Sequence, residues 1–423
     1  MDAYLSPDQL CVGLFVHVDL PWSEHPFSFS SFRVRSIDQV LALQALGLHR
    51  IRYSPERSDA TPLQPPTRHP HPSSPPEALE TLAPRVERAR QLKLERLERL
   101  DDVHERLARC QRAFESALRS ARGLGRELRT TPRQARHSAL DLVERLAERV
   151  RVDAEVSLQL MSDVVGGEPL YDHGLNVAVM AMLLARELAL ADEQVRWVGL
   201  GALLHDCGWL DLPDRVVHKG QTLTRAEARL MEDHCQLGVE RLRRLDLPVE
   251  VLQIVGQHHE HLDGTGYPAA LEATHLAMPV RIVAVVDAYD SLCNPMCGQR
   301  PRTPHEALST LFGRERRALD AEVLSRFVRC VGVYPPGTIV ELSNGALAIV
   351  VTVHESRPLK PLVLVHDPQA PQDDPIVVDL AREHGLTVVR TLLPQALSET
   401  ARARLSPRRR ISCFVQAPRL QGG

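Results

Sequence analysis

The sequence predicts a mainly α-helical protein with a small α+β unit in front and a small β appendage behind. Three observations predict it. From Asp172 to about Gly332 the chain reads as almost all helix, with capping boxes at Thr224-Arg225-Ala226-Glu227 and Thr303-Pro304-His305-Glu306. Between 56 and 76 the chain turns rich in Pro, Ser and His, which reads as an extended, poorly packed linker. After Tyr334-Pro335-Pro336-Gly337 the pattern changes to short apolar runs around Ser343-Asn344-Gly345, the signature of a hairpin with an Asn-Gly turn.

In chain order, residues 1–55 form the α+β unit. Ser6-Pro7-Asp8-Gln9 has the form of a helix start, with Ser as cap, Pro first and Gln reaching back. Leu14 to Val18 reads as a strand and Ser36 to Leu46 as a helix. In the linker, His69 and His71 belong to a solvated tract rather than a metal site. A helical connector occupies 77–164; Thr130-Thr131-Pro132 breaks it, and its second helix runs from about Gln134 to Val164. Leu92, Leu94, Leu97, Leu100, Val103 and Leu107 make an imperfect stripe. That stripe fits a dimerising or signalling helix pair, and equally an antiparallel hairpin packed on its own domain. The next domain, 165–332, has candidate helices at 172–188, 192–208, 225–244, 248–259, 277–292 and 304–330. In the appendage, 333–423, strands are expected at 338–342, 346–353 and 361–365, closed by a helix from Leu393 to Leu405.

A chain of 423 residues has room for two or three domains, and a hydrophobic share of 43% is enough to give them cores. The net charge of −3 gives no electrostatic case for a nucleic-acid polymer or a membrane surface as partner. The eight cysteines are scattered, which suits a reduced protein better than a disulfide framework. No basic region followed by an apolar run opens the chain. The longest apolar stretch, Leu175 to Leu190, is interrupted by Asn176 and Arg186 and is too short to span a bilayer. A cytoplasmic protein is the expectation.

The chemistry concentrates between 173 and 287. His173, His205-Asp206, His234, His258-His259, Asp263 and Asp287 are metal-friendly side chains at spacings that suggest one buried site. Neutral imidazoles suit Fe, Mn, Zn, Ni or Co. A carboxylate can bridge two ions, and two ions about 3.5–4 Å apart can clamp a phosphate and activate water. Phosphodiester hydrolysis is the reaction class such a site predicts. Asp287 supports the metal reading, because a carboxylate inside the apolar run Val280 to Val286 is costly to bury without a cation. His218, His261 and His275 are nearby but read as surface or loop residues, and Cys293 and Cys297 as ordinary thiols.

The motif order resembles the HD superfamily of metal-dependent phosphohydrolases, and more narrowly the HD-GYP family of bacterial cyclic di-GMP phosphodiesterases. The resemblance rests on His205-Asp206, on His258-His259-Glu260-x-x-Asp263-Gly264-x-Gly266-Tyr267-Pro268, and on Asp287-Ala288-Tyr289-Asp290, and it covers about 160 to 332. The first 55 residues also look like the uncharacterised domain that often precedes this family. The resemblance implies an all-helical HD-type metallohydrolase domain with two divalent transition metals, Fe or Mn first, with Zn, Ni and Co open. It implies that Asp206 bridges them, that His173, His205 and Asp287 complete one shell, and that His234, His258 and His259 complete the other. Activated water would attack a phosphorus of cyclic di-GMP, giving linear pGpG and then GMP. Glu260 and Asp263 would sit behind the ligands or order the loop, and Gly266, Tyr267 and Pro268 would shape the substrate side.

Three departures bear on activity. Where the family carries a lysine after the His-Asp pair, this chain has Trp209, which removes a positive charge from beside the scissile phosphate. Trp209 can stack on a guanine or simply pack. The family's arginine-bearing substrate segment is replaced by 293–302, leaving Arg300 and Arg302 as displaced substitutes. Pro169 stands where some members carry a third-metal glutamate, with Glu168 one residue off, so two ions are expected rather than three. Lys219 and Arg281 are the remaining basic candidates; with Asp206 and Asp263, Lys219 is a catalytic candidate, the plain alternative being a loop cation. Two functions stand: a cyclic di-GMP phosphodiesterase, or a domain that keeps its metals but signals through protein partners. A related hydrolase of other nucleotides is disfavoured by the Gly-Tyr-Pro loop.

Overall fold

The computed structural model describes residues 3–20, 25, 27, 30–64, 105, 108–151, 157–161, 169–217, 219, 223–295, 300–313, 315–354, 357–366, 376–383, 385–405 and 411–415. The N-terminal unit is a four-stranded antiparallel sheet of β1 (Ala3–Leu5), β2 (Phe15–His17), β3 (Ser31–Arg33) and β4 (Ile51–Tyr53), in the order β1-β4-β2-β3. Helix α1 (Ile37–Gln44) is capped by Ser36, whose side chain accepts from Gln39 N. The Ser6 box caps only one turn of 3-10 helix, Pro7–Gln9, and its reciprocal bond runs from Ser6 N to Gln9 Oε1 at 2.9 Å. Leu14, Val16, Leu43 and Ile51, all nearly inaccessible, form this unit's separate core.

Helices α2 (108–130) and α3 (Pro132–Arg151) meet at the expected Thr130–Pro132 break. Their apolar faces are buried in the main core: Phe114, Leu118, Leu142 and Leu146 are at most 3% exposed. Residues 108–151 therefore pack on their own protein; the leucine stripe, Leu92 to Leu107, lies outside the described residues, as do His69 and His71. The second connector helix stops at Arg151, not near Val164, and Ser157–Leu160 form strand β5. The reason is long-range: β5 is claimed by two partners far along the chain.

The central domain consists of α4 (Pro169–Glu187), α5 (Asp192–Leu204), α6 (Asp214–Val217), α7 (Arg225–Glu232), α8 (His234–Leu242), α9 (Val249–Gln257), α10 (Met278–Cys293), α11 (Pro304–Gly313) and α12 (Ala321–Val331). Two expected helices are split. The 225–244 helix breaks at Asp233, so His234 starts a helix rather than lying in the middle of one. The 304–330 helix ends at Gly313, and Asp320 starts a new one by accepting from Glu322 N and Val323 N. In α10, Val280, Ile282, Val283, Val285 and Val286 are all at most 1% exposed. Each contributes about 1.5–3 kcal/mol of burial, which fixes the helix that carries Asp287.

The C-terminal sheet has seven strands: β5 with β6 (Ile339–Leu342), β7 (Leu347–His354), β8 (Leu362–His366), β9 (Ile376–Asp379), β10 (Val388–Leu392) and β11 (Cys413–Val415). Its path is β10-β6-β7-β5-β11, with β8 pairing to β7 and β9 to β8. Helix α13 (Glu399–Leu405) covers it through Ala401 and Leu405. Arg57 and Arg35 of the N-terminal unit donate to Asn344 O and Gly385 O in its turns, at 2.5 and 2.6 Å. The seven described cysteines are free thiols, and among the described residues no helix is long and apolar enough to cross a membrane.

Candidate metal centre

Six of the seven expected ligands come from helix ends or from the first two turns of helices. His173 lies in the second turn of α4; His205 caps the end of α5, with Asp206 next; His234 opens α8; His258 ends α9, with His259 next. Asp287 alone comes from a helix interior, that of α10. Ends suit the task because their free carbonyls can orient imidazoles. His205, His234 and His258 each donate Nδ1–H to the carbonyl three residues earlier: Ala202 at 2.6 Å, Met231 at 2.6 Å and Val255 at 2.9 Å. This fixes the tautomer and turns each bare Nε2 inward. The break at Asp233 is what lets His234 reach Met231 O in this way.

The seven side chains form two adjacent groups, His173, His205 and Asp287 in one, Asp206, His234, His258 and His259 in the other. Asp206 lies between them. Its Oδ2 is 3.3 Å from His205 Nε2 and 3.6 Å from His173 Nε2; its Oδ1 is 3.3 Å from His234 Nε2 and 3.7 Å from His258 Nε2. Asp287 also straddles them, with Oδ1 3.0 Å from His173 Nε2 and Oδ2 3.5 Å from His259 Nδ1. His173 Nε2 and His205 Nε2 are 3.1 Å apart, His234 Nε2 and His258 Nε2 3.2 Å. Ligands about 2.1 Å from one ion lie roughly 3 Å apart when their bonds meet near a right angle. Converging lone pairs at that spacing repel unless a cation lies between them, so the donor set fits divalent metal in both groups.

Charge agrees with this. Burial opposes ionisation of Asp206, but His205, His258 and His234 hold its carboxyl well below the usual range. Asp287 is likewise held low, against its burial, by His173, His259 and His205. Burial brings His234 down to about 4, and burial together with His258 depresses His259, so both are neutral donors at pH 7. His173 differs: burial resists a proton, yet hydrogen bonds with Asp287 and Asp290 raise it.

Other expected site residues are placed as follows. Asp263 is exposed and outside both groups; its Oδ1 accepts from Thr265 N at 3.1 Å and Thr265 Oγ1 at 2.6 Å, which makes it a turn residue and not an eighth ligand. His261 Nδ1 joins the same turn, 2.9 Å from Thr265 Oγ1. Glu260 is buried and accepts from Ala269 N and Leu271 N, so it braces the loop from within. Gly266 lies against backbone: a Cβ there would be 2.5 Å from His259 O. Tyr267 lays its ring on His259 at 4.7 Å between centroids, and the peptide to Pro268 is cis. Trp209 packs with Leu212, Val216 and Met231 and meets His234 in an edge-to-face arrangement, 5.9 Å between centroids. Lys219 Nζ is 2.5 Å from Glu227, Arg302 bonds Thr310, and Arg281 donates to Asp320, Leu276 O and Ala273 O. Arg300 is exposed. His218, Cys297 and Glu168 lie outside the described residues.

The sequence reading missed a ring behind His173. Asp290 Oδ2 accepts from His173 Nδ1 at 2.7 Å, and Asp290 Oδ1 accepts from Asn176 and Asn294 at 3.1 and 3.0 Å. The available signal is helical spacing: Asn176 follows His173 by three, Asp290 follows Asp287 by three, and Asn294 follows Asp290 by four.

A helical domain that brings a His-Asp pair and four further histidines around two shared carboxylates defines a metal-binding HD-type fold. Comparison with known families agrees: residues 131–323 match the HD domain, 4–139 a domain of unknown function (DUF3391), and 339–400 the KOW domain associated with HD domain. Residues 131–323 of the chain thus carry an HD domain. It is 33% identical over 261 residues to the cyclic di-GMP phosphodiesterase PA4108 of Pseudomonas aeruginosa, covering 61% of each chain. It is 30% identical to the cyclic di-GMP phosphodiesterase response regulator RpfG of Xanthomonas campestris pv. campestris, over 48% of this chain and 56% of that one. It is 29% identical to the 3'3'-cGAMP-specific phosphodiesterase 3 of Vibrio cholerae, over 38% and 35%. The matches thus span less than two thirds of each relative's length.

Proposed function

We propose that this chain is a metal-dependent phosphodiesterase that opens cyclic di-GMP to linear pGpG and then to GMP, using two divalent ions. One observation carries the reading: the two oxygens of Asp206 face two different histidine groups. His173, His205 and Asp287 would hold one ion, His234, His258 and His259 the other, with Asp206 shared. Ions held this way polarise a phosphoryl oxygen and lower the pKa of water to near neutrality. Iron or manganese suits this donor set first, and zinc, nickel and cobalt accept it too.

The chain's own residues supply the rest. His259 has 28% of its side chain exposed while the other six ligands are nearly covered, so substrate approaches beside His259 and the Tyr267 ring. Burial pushes the Tyr267 hydroxyl up, so at pH 7 it stays protonated and does not act as a base. Gly266 packs against the backbone of residues 259–261, Pro268 follows Tyr267 through a cis peptide, and Asp263 and Glu260 hold their loop. Lys219, Arg281 and Arg302 are engaged elsewhere, so Arg300 is the candidate for a phosphate contact.

A second reading has its own observation. Trp209 fills the family's lysine position and packs in an apolar cluster, which favours a module that binds metal and signals with little turnover. Product analysis separates the two. Protein reconstituted anaerobically with Fe(II) or Mn(II) is incubated with cyclic di-GMP and, separately, 3'3'-cGAMP, with Asp206→Ala as control. Metal-dependent linear product from cyclic di-GMP, absent in the control, is the expected result. Product from 3'3'-cGAMP alone would reassign the substrate, and no product from protein carrying two ions per chain would favour the signalling module.

A further inference from the structure

The backbone of residues 411–413 is gripped by two asparagine side chains. Ile411 O accepts from Asn176 Nδ2 at 3.0 Å and from Asn294 Nδ2 at 2.9 Å. In return, Asn294 Oδ1 accepts from Ile411 N at 2.8 Å and Asn176 Oδ1 from Cys413 N at 3.3 Å. Each amide's remaining N–H goes to the same oxygen, Asp290 Oδ1. Both amides are thus fully used, and their orientation is set because only one flip satisfies every partner. Asn176, Asn294 and Asp290 are at most 4% exposed, so a missing partner could not be replaced by bulk water.

Asp290's other oxygen holds His173 Nδ1. We infer that residues 411–413 are a positioning strap for this half of the metal site, holding His173 through Asn176, Asn294 and Asp290; the inference rests on the two-ion reading above. The strap is itself part of the C-terminal sheet. Ser412 O accepts from Met161 N at 2.8 Å, β11 pairs with β5, and Phe414 is buried against Phe114 at 5.8 Å between centroids. The sheet that follows the HD domain in sequence thus reaches back to one ligand. Three of the other four histidines do not depend on it: His205, His234 and His258 are oriented by carbonyls of their own turns.

The test is chelator competition on the full chain loaded with Mn(II), counting ions retained per chain. Asn294→Leu keeps the side-chain branching and deletes its side-chain hydrogen bonds; Asn294→Asp keeps the shape and loses the donors. Loss of an orienting partner behind a ligand typically costs about 10–100-fold in metal affinity. In both variants one of the two ions should be lost at roughly 10–100-fold lower chelator than in wild type, with the second ion unchanged. His173→Ala identifies the sensitive ion. Leu142→Ala, a buried α3 residue outside the hydrogen-bond chain from Ile411 to His173, should lower Tm without weakening either ion, which separates positioning from general destabilisation. Folded Asn294 variants that hold both ions as wild type does would overturn the strap. Wild type that holds two ions but cleaves no cyclic dinucleotide would overturn the phosphodiesterase and leave the strap standing.

Discussion

The two halves of the metal centre are held in different ways. In the His234 half, His234 and His258 are aimed by carbonyls three residues before them, and the Gly266–Tyr267 loop closes on His259. In the His173 half, His205 is aimed locally but His173 depends on Asp290, 117 residues away, and through it on the C-terminal strand. The first half is built by short-range structure; the second is complete only once distant parts of the chain have docked. The difference implies that the halves fail separately, except at Asp206 and Asp287, which touch both.

The largest effect should therefore come from Asp206→Ala. Each of its oxygens serves one histidine group, so both ions should be lost and hydrolysis should fall to background. Metal analysis of the purified variant checks this, and two retained ions would remove Asp206 from the centre of the site. Next come the paired variants His173→Ala and His234→Ala. Each should shed one ion and keep the other, and loss of both in either case would mean that the halves are not separable.

What was legible in the sequence follows the same division. Ligands were readable because HD-GYP motifs place them in short local patterns: His205-Asp206, His258-His259 and the loop that follows. Helices were readable where capping and periodicity agreed, as at Thr224 and Ser36. Asn176, Asn294 and Ile411 were not: helical spacing relates the asparagines to His173 and Asp290, but the strand they grip lies 117 to 237 residues away and leaves no local trace. Strand β5 was missed for the same reason: Ser157–Leu160 is extended because β7 and β11 pair with it, and nothing within four residues says so. Asp263 fell between the cases. It belongs to the motif, but the motif uses its carboxylate to tie Thr265 and not to reach the ions.

Two glycines sharpen the comparison on the His234 side. A Cβ on Gly208 would be 1.9 Å from His234 O, and one on Gly266 would be 2.4 Å from His261 N. Neither neighbour is a flexible side-chain end, so backbone must move. Overpacking of this kind costs about 1–3 kcal/mol. Gly208→Ala should destabilise the fold in urea and loosen the ion held by His234, while the His173-side ion stays. Gly266→Ala should act through His259 and the Tyr267 loop, raising KM more than it lowers metal content.

The smallest expected effect tests how far local support of the His234 half extends. Glu227 sits in the first turn of α7, the helix just before His234. Its carboxyl accepts from Lys219 Nζ, from Thr224 N at 2.7 Å and from Thr224 Oγ1 at 2.8 Å. These contacts, the Lys219 bond first, bring it down to about 2 from the model-peptide value of 4.5. A carboxyl whose pKa is lowered by folding adds stability that is fully present above the unfolded-state pKa and is lost as pH falls through the folded-state pKa. The contribution should therefore hold at pH 7, shrink below about pH 4.5 and vanish near pH 2. The pair is solvent-facing, so salt should weaken it further. Glu227→Gln should lower Tm slightly at pH 7, with a difference from wild type that fades on acidification and in high salt, and metal content should not change. A metal loss in this variant would show that the α7 cap helps hold His234, and the two halves would then differ less than their ligand geometry implies.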